Sequence, residues 1–411
     1  MKVLFYTSAD SSRLRYVLDF ISKLIGIHFV VSFDSLEFEN ANIPKINYST
    51  ENLGGIQIKP HGLLFQNSLQ KFEFDELETD ELSMIFFLLS RYEEYLDFEP
   101  DTFGRFQAKF SYLHKTERMQ IPYADVLVYE IKEKLLKSFP EIKFKENQYE
   151  KILTIDIDQA FKFQYKSFKR FVGGAVKDLL KFKVSNLLLR NLSYFGLKKD
   201  PWNIYSKIEE KMKNKPVIFF FQCGEYGEFD KNLPISQKAF RTIIRSVNSW
   251  ALVGLHPSFQ SNKDVEILKM EKRNLENVLG KNVSKSRQHY IKLEFPKTYQ
   301  NLLSTGVYED YSMGFPDEVG FRAGTCHPFF WYDLSKETQT SLLIHPFCVM
   351  DVTLKDYKNM REEHVYFILK NLESEVKKVN GKLYLVCHNE SLSGHREWEK
   401  WDEVFFEFLH S

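Results

Sequence analysis

Cysteine is scarce in this 411-residue chain: Cys223, Cys326, Cys348 and Cys387 lie far apart and form no CxxC pair. That spacing argues against a zinc ribbon or a disulfide framework and for reduced thiols. An excess of one charge is missing too. The 56 basic and 56 acidic residues cancel, so the chain as a whole has no electrostatic footprint for nucleic acid. No apolar run approaches the ~18 residues that would suggest a spanning helix. The opening segment, MKVLFYTSADSSRLRYVLDF, lacks the unbroken apolar stretch of a secretory signal and meets Asp10, Arg13, Arg15 and Asp19 in quick succession. These absences predict a cytoplasmic protein, one that meets a membrane, if at all, at its inner face. What is present is material for large cores: 43% hydrophobic residues, with 38 Phe and 21 Tyr. A chain of this length is expected to divide into two domains.

Residues 1–148 read as a small α/β domain. Residues 3–6 form an apolar strand, and Leu14, Val17, Leu18, Ile21, Leu24 and Ile25 follow at helical spacing up to Gly26. Further helices are predicted over 81–95 and 124–136. The polar stretch 141–151 then marks the boundary. In residues 149–411 apolar runs at 152–156, 217–221, 251–256, 290–293, 342–350 and 383–387 alternate with helical stretches at 266–279, 357–376 and 397–409. Repeated strand-then-helix units predict a parallel sheet covered by helices, either open or closed. An insertion at about 162–200 breaks the pattern. From 162 to 199 it carries ten Lys or Arg and one acid, Asp178, among many Phe and Leu. Such a stretch can lie on an anionic bilayer or cap the sheet.

Polar residues gather where strands are predicted to end. Asp156 and Asp158 close the run Leu153-Thr-Ile-Asp-Ile-Asp158, and side chains two apart in a strand share a face. Two neighbouring carboxylates are unfavourable without a cation or proton between them; alone, the pair reads equally well as exposed loop aspartates. His256 follows another strand, in Gly254-Leu-His256. A lone histidine is more often structural, but this one ends a strand parallel to that of the aspartates. Arg322 lies in the loop Gly320-Phe-Arg-Ala-Gly324, where a surface salt bridge is the bland alternative. His388 ends the run Leu383-Tyr-Leu-Val-Cys-His388, a position suited to a general acid.

In this order the motifs resemble the polysaccharide deacetylase family, also called carbohydrate esterase family four, over about residues 152–393. The resemblance implies a deformed parallel (β/α) barrel with a catalytic divalent metal, zinc by preference. It makes Asp156 the base, Asp158 and His256 metal ligands, Arg322 the arginine that orients the base, and His388 the general acid, with Asp351 touching that histidine. The family's second metal histidine stands four residues after the first, where this chain has Gln260, a poor zinc ligand. His289 is the replacement candidate; His327 and His345 are read as core or surface residues. The segment 85–95 with Phe103-Gly-Arg-Phe106 resembles an uncharacterised domain that precedes deacetylase modules in Bacteroidetes-type proteins.

The resemblance implies hydrolysis of an N-acetyl or other acyl group from a sugar or glycan precursor, in envelope polysaccharide biosynthesis. Tyr311, Phe329 and Trp331 are expected to shape the sugar or acyl pocket. Gln260 motivates the alternative, a catalytically degenerate barrel that binds glycans or acts as a scaffold.

Overall fold

The first apolar run forms β1 (Lys2–Thr7), and the helix Ser12–Ile25 follows it. Ser11 caps that helix by accepting the Leu14 N–H, and Gly26 ends it with φ 72°. With β2 (His28–Ser32), β3 (Lys45–Tyr48) and β4 (Ile56–Ile58) it builds a four-stranded parallel sheet in the order β2-β1-β3-β4. This computed structural model describes residues 1–72 and 74–411, the side chains of 74–76 excepted.

The second sheet comprises β5 (Glu150–Ile157), β6 (Val217–Phe221), β7 (Leu252–Leu255), β8 (Lys285–Ser286), β9 (Glu309–Asp310), β10 (Phe329–Asp333), β11 (Thr338–Ile344), β12 (Val349–Met350) and β13 (Lys382–His388). Its nine strands run in the order β10-β11-β9-β8-β7-β6-β5-β13-β12. Every pairing is parallel except the β10–β11 hairpin. The architecture is therefore mixed α/β with a large, predominantly parallel sheet. Among the described residues no pairing joins its end strands β10 and β12.

β6 is buried along its whole length because apolar residues cover both faces. Phe219 and Phe221 belong to the main core, while Ile218 and Phe220 face a second cluster with Ile152, Tyr311, Phe347, Tyr384 and Val386. The main core is continuous from Val3 to Leu409 and takes in residues of both sheets.

Several elements depart from the sequence pattern. The stretch 290–293, expected as a strand, begins in a tight turn, His289–Ile291, with φ 60° at Tyr290 and 54° at Ile291. The helix expected over 81–95 stops at Ser90, because Arg91 turns left-handed (φ 54°) and sends its guanidinium to Glu93 and Glu94. The run 342–350 divides between β11 and β12. No helix among the described residues is long and apolar enough to cross a membrane.

Candidate metal centre

Five parallel strands deliver the polar residues to one end of the second sheet. In β5 the side chains of Thr154 and Asp156 project to the face of Ile152, and Asp158 follows directly after the strand. His388, the last residue of β13, pairs in register with Asp156, which pairs on its other side with Phe220 of β6. His256 extends β7, its N–H donating to the Phe221 carbonyl at 2.9 Å. Beyond β8, the Arg287 N–H donates to Leu255 O and the His289 N–H to Pro257 O. Each backbone bond holds a strand extension beside its neighbour.

Asp158, His256 and His289 converge, their candidate ligand atoms all within 4.8 Å of one another. Asp158 Oδ1 lies 3.0 Å from His256 Nε2, and Asp158 Oδ2 lies 3.3 Å from His289 Nε2. Among the described residues Asp158 Oδ1 and His256 Nε2 are buried with no partner beyond this mutual contact, an arrangement that a cation between them would satisfy. The opposite ring nitrogens are anchored: His256 Nδ1 meets the Arg287 carbonyl at 2.6 Å, and His289 Nδ1 meets Asp230 Oδ1 at 2.9 Å. These anchors orient both Nε2 atoms toward Asp158, as outer partners of metal-binding histidines do. One carboxylate and two imidazoles form a donor set that fits zinc and leaves room for water. Gln260 lies exposed in the turn after His256, and His289 occupies the third place in the cluster.

The electrostatics point the same way. Burial disfavours a charge on His289, but Asp158 and Asp230 outweigh it and raise its pKa to about 9. Burial likewise opposes ionisation of Asp158, and the neighbouring histidines overcome that, holding its carboxyl well below the usual range. A dication would compete with the His289 proton for the same field.

On either side stand two further groups. Asp156 accepts from Arg287 Nη1 at 3.1 Å, and that same nitrogen donates to Thr154 Oγ1 at 2.7 Å. His388 Nδ1 meets Asp351 Oδ1 at 2.9 Å while its Nε2 points to Asp158 Oδ2, 3.8 Å away. Burial disfavours the His388 cation, but Asp351 prevails and its pKa lies well above the ordinary value. Asp351 is itself fixed by the backbone N–H of Val352 and His388 and by the Ser391 hydroxyl.

Two expectations from the sequence need correction. Arg322 does not reach Asp156: its guanidinium is bound to both Glu94 carboxylate oxygens and to the Gly314 carbonyl, tying the sheet region to the N-terminal segment. The guanidinium beside Asp156 belongs to Arg287. Tyr311, Phe329 and Trp331 do not line the cleft either. Tyr311 stacks on His345, Trp331 packs edge-on against Tyr299, and Phe329 belongs to the main core. The cleft, about 310 Å³, is walled by Phe229, Tyr290 and Tyr357, with Lys231, Gln288 and Arg105 also at its edges. Sequence reasoning missed Asp230, Ser391 and Arg105. Asp230 follows a strand by several loop residues, and nothing in its local pattern distinguishes it from other loop acids.

A second buried grouping, Asp125, Cys326 and His327, is engaged in hydrogen bonds of its own, and burial beside Asp125 pushes the Cys326 thiol well up. Asp125 accepts from Thr325 Oγ1 at 2.6 Å and from the Cys326 N–H at 2.8 Å, and His327 Nε2 meets the Val379 carbonyl. It clasps the helix Tyr123–Ser138 to the segment before β10.

Residues 3–140 match the model of a family of unknown function, DUF7033. No curated protein matches the chain. Among solved structures, one from Mycobacterium smegmatis assigned as a polysaccharide deacetylase is 13% identical with a TM-score of 0.42, covering 65% of this chain and 84% of that one. The polysaccharide deacetylase Bc1974 of Bacillus cereus is 12% identical with a TM-score of 0.32, covering 64% and 88%. IcaB of Ammonifex degensii is 12% identical with a TM-score of 0.24, covering 42% and 86%. With overlaps this slight, the functional reading rests on the site's own geometry.

Proposed function

We propose that the chain is a metal-dependent hydrolase that removes an N-acetyl or other acyl group from a sugar or glycan precursor. The observation that carries this reading is the triangle Asp158, His256 and His289, flanked by Arg287-bound Asp156 on one side and Asp351-bound His388 on the other. Asp158, His256 and His289 would hold zinc, which when bound polarises the acyl oxygen and the water.

The remaining work falls to the chain's own groups. Asp156, aimed by Arg287, accepts a proton from the attacking water as its oxygen bonds to the acyl carbon. His388, kept protonated by Asp351, gives its Nε2 proton to the amide nitrogen as the carbon–nitrogen bond breaks. The products are a carboxylic acid and an amine, and proton exchange with solvent restores both side chains. Phe229, Tyr290 and Tyr357 offer flat apolar faces on which a sugar ring can stack.

Zinc content and acyl release test the reading together. After zinc supplementation the purified chain should hold about one equivalent, which Asp158→Ala and His289→Ala lower. The loaded protein should release acetate from N-acetylated sugar oligomers. Retention of less than about a tenth of an equivalent would favour instead a protein that only binds or scaffolds glycans. A zinc-loaded protein whose Asp156→Asn and His388→Ala variants turn over at the parent rate would rule out the proton-transfer scheme.

A further inference from the structure

The insertion between β5 and β6 folds as a helical hairpin that turns its apolar side to solvent. Its arms are the helices Phe168–Leu180 and Val184–Tyr194, joined at 181–183. They hold each other: Asp178 accepts from Asn186 Nδ2 and from Arg190 Nε, and Phe171 stacks on Tyr194 with ring centroids 4.1 Å apart. No residue from 168 to 197 belongs to the protein's main core.

What remains outside is strongly apolar. Phe168, Val172, Val176, Leu179 and Leu180 recur at helical spacing along one exposed stripe, continued by Phe182, Val184 and Leu188 and ending in Phe195 and Leu197. Phe182 at the tip is 90% exposed, Leu197 76% and Leu180 74%. A helix on a globular surface shows solvent its polar face; these helices do the reverse, and stray exposed residues do not form such a stripe. Charge supplies the second indication. The segment 162–199 contains ten Lys or Arg, including Lys177, Lys181 and Lys183 close to the tip. Its one acid, Asp178, is buried and paired with Arg190. The chain's charges cancel only as a whole; here the exposed Lys169, Lys177, Lys181, Lys183, Lys198 and Lys199 accompany an exposed apolar edge, the combination that binds an anionic bilayer surface.

We propose that the hairpin 167–197 is a membrane-docking element that seats Leu180, Phe182 and their neighbours in the interface of an anionic lipid bilayer. Its base borders the candidate metal centre. Lys166 Nζ donates to Gln159 Oε1 at 2.9 Å, Arg170 donates to the carbonyls of Lys231 and Asn232, and Gln159 and Lys231 line the cleft. The hairpin's base is thus tied to the cleft wall, and its inserting tip lies about one helix length, ~20 Å, from that base. The proposal does not depend on the hydrolase reading, since binding is measured without turnover.

Co-sedimentation of the full chain with vesicles tests it, using phosphatidylcholine alone and phosphatidylcholine with about a third phosphatidylglycerol. The expected result is binding to the anionic vesicles only, weakened at least about tenfold by raising salt from about 0.05 to 0.5 M. Leu180→Asp with Phe182→Asp should weaken it by about tenfold or more, since both side chains lose their apolar burial in the lipid. Lys181→Glu with Lys183→Glu should weaken it through charge alone. All four residues are exposed, so thermal melting should be unchanged. Failure of the parent chain to sediment, equal binding to neutral vesicles, or unchanged binding of the Asp variant would overturn the proposal. So would light scattering that shows a dimer which the Asp variant dissociates, because a second copy would then cover the stripe.

Discussion

The Arg287 guanidinium joins three parts of the centre at once. Its Nη1 meets Asp156 and Thr154, its Nε donates to the Tyr311 carbonyl at 2.9 Å, and its plane lies over Phe220, 4.8 Å from the ring centroid. All of this is buried, so Arg287→Ala leaves the Asp156 charge without its partner. The expected loss is about 3–5 kcal/mol of stability, measured by denaturant unfolding, together with a collapse of turnover. Arg322→Ala should destabilise by a comparable amount, because Glu94 then lies buried beside Arg91 alone, yet leave turnover of the folded fraction close to the parent. A selective loss of turnover on replacing Arg322 would reverse the two assignments. Removing either proton-transfer group, by Asp156→Asn or His388→Ala, should lower turnover about 10²–10⁴-fold with zinc content preserved. Asp156, Asp158, His256 and His388 were legible in the sequence because each ends an apolar run. The arginine was not. Arg287 and Arg322 both sit in loops, and the choice between them depends on the register of β8 against β7 and on Glu94, more than two hundred residues from Arg322 in the chain.

A short strap from the N-terminal region closes over the element that carries His289. Tyr290 and Ile291 both hold positive φ, an unfavourable conformation for a bulky and a β-branched residue, which persists only where the surroundings fix it. Arg105 supplies one restraint, donating to the Tyr290 carbonyl at 2.8 Å and to Tyr357 Oη at 3.0 Å while Asp101 holds its own Nε. Lys292 Nζ donates in return to the Phe103 carbonyl at 2.6 Å, and Phe103 packs on the Tyr290 ring at 4.9 Å. The strap thus fixes the backbone one residue beyond a candidate ligand. Arg105→Ala is expected to weaken zinc binding about 10–100-fold, the range for lost outer partners of metal ligands. Cobalt substitution should also show a changed visible spectrum, and Arg105→Lys should recover part of the affinity. Unchanged zinc affinity and spectrum in Arg105→Ala would separate the strap from the metal centre. The apolar runs of β5, β6, β7 and β13 were readable at this scale because buried parallel strands are continuous in hydrophobicity. The two-residue strands β8 and β9 were not, since they carry too few residues for a periodicity, and β12 was read only as the end of the longer run 342–350. The turn at 289–291 read as a strand because its residue types favour one, and restraints from residues 101–105 override that preference.

Two buried glutamates give the whole molecule opposite responses to pH. Glu94 joins the two regions through Arg91 and Arg322; burial opposes its charge, but the two guanidinium groups prevail and lower its pKa. A folded pKa below the unfolded value means stability that is present above about pH 4.5. That stability is lost as the pH falls through the depressed folded value. Glu271, in the helix Val265–Leu279, behaves in reverse. One of its oxygens accepts the Ser258 N–H at 3.0 Å, while the other is buried without a partner, and burial lifts its pKa to about 7. Its contribution is therefore complete below about pH 4.5 and disappears as the pH rises to about 7, where ionisation would place an unpaired charge in the core. The shift corresponds to about 3 kcal/mol at most. Glu271→Gln keeps the shape and the Ser258 bond but cannot ionise, so its stability relative to the parent should rise steadily from pH 4.5 to 7 and then level off. Denaturant unfolding of both proteins across pH 4–9 measures this difference directly. Parallel curves for parent and variant would mean that Glu271 does not titrate in this window, and the fall in stability would then belong to another group.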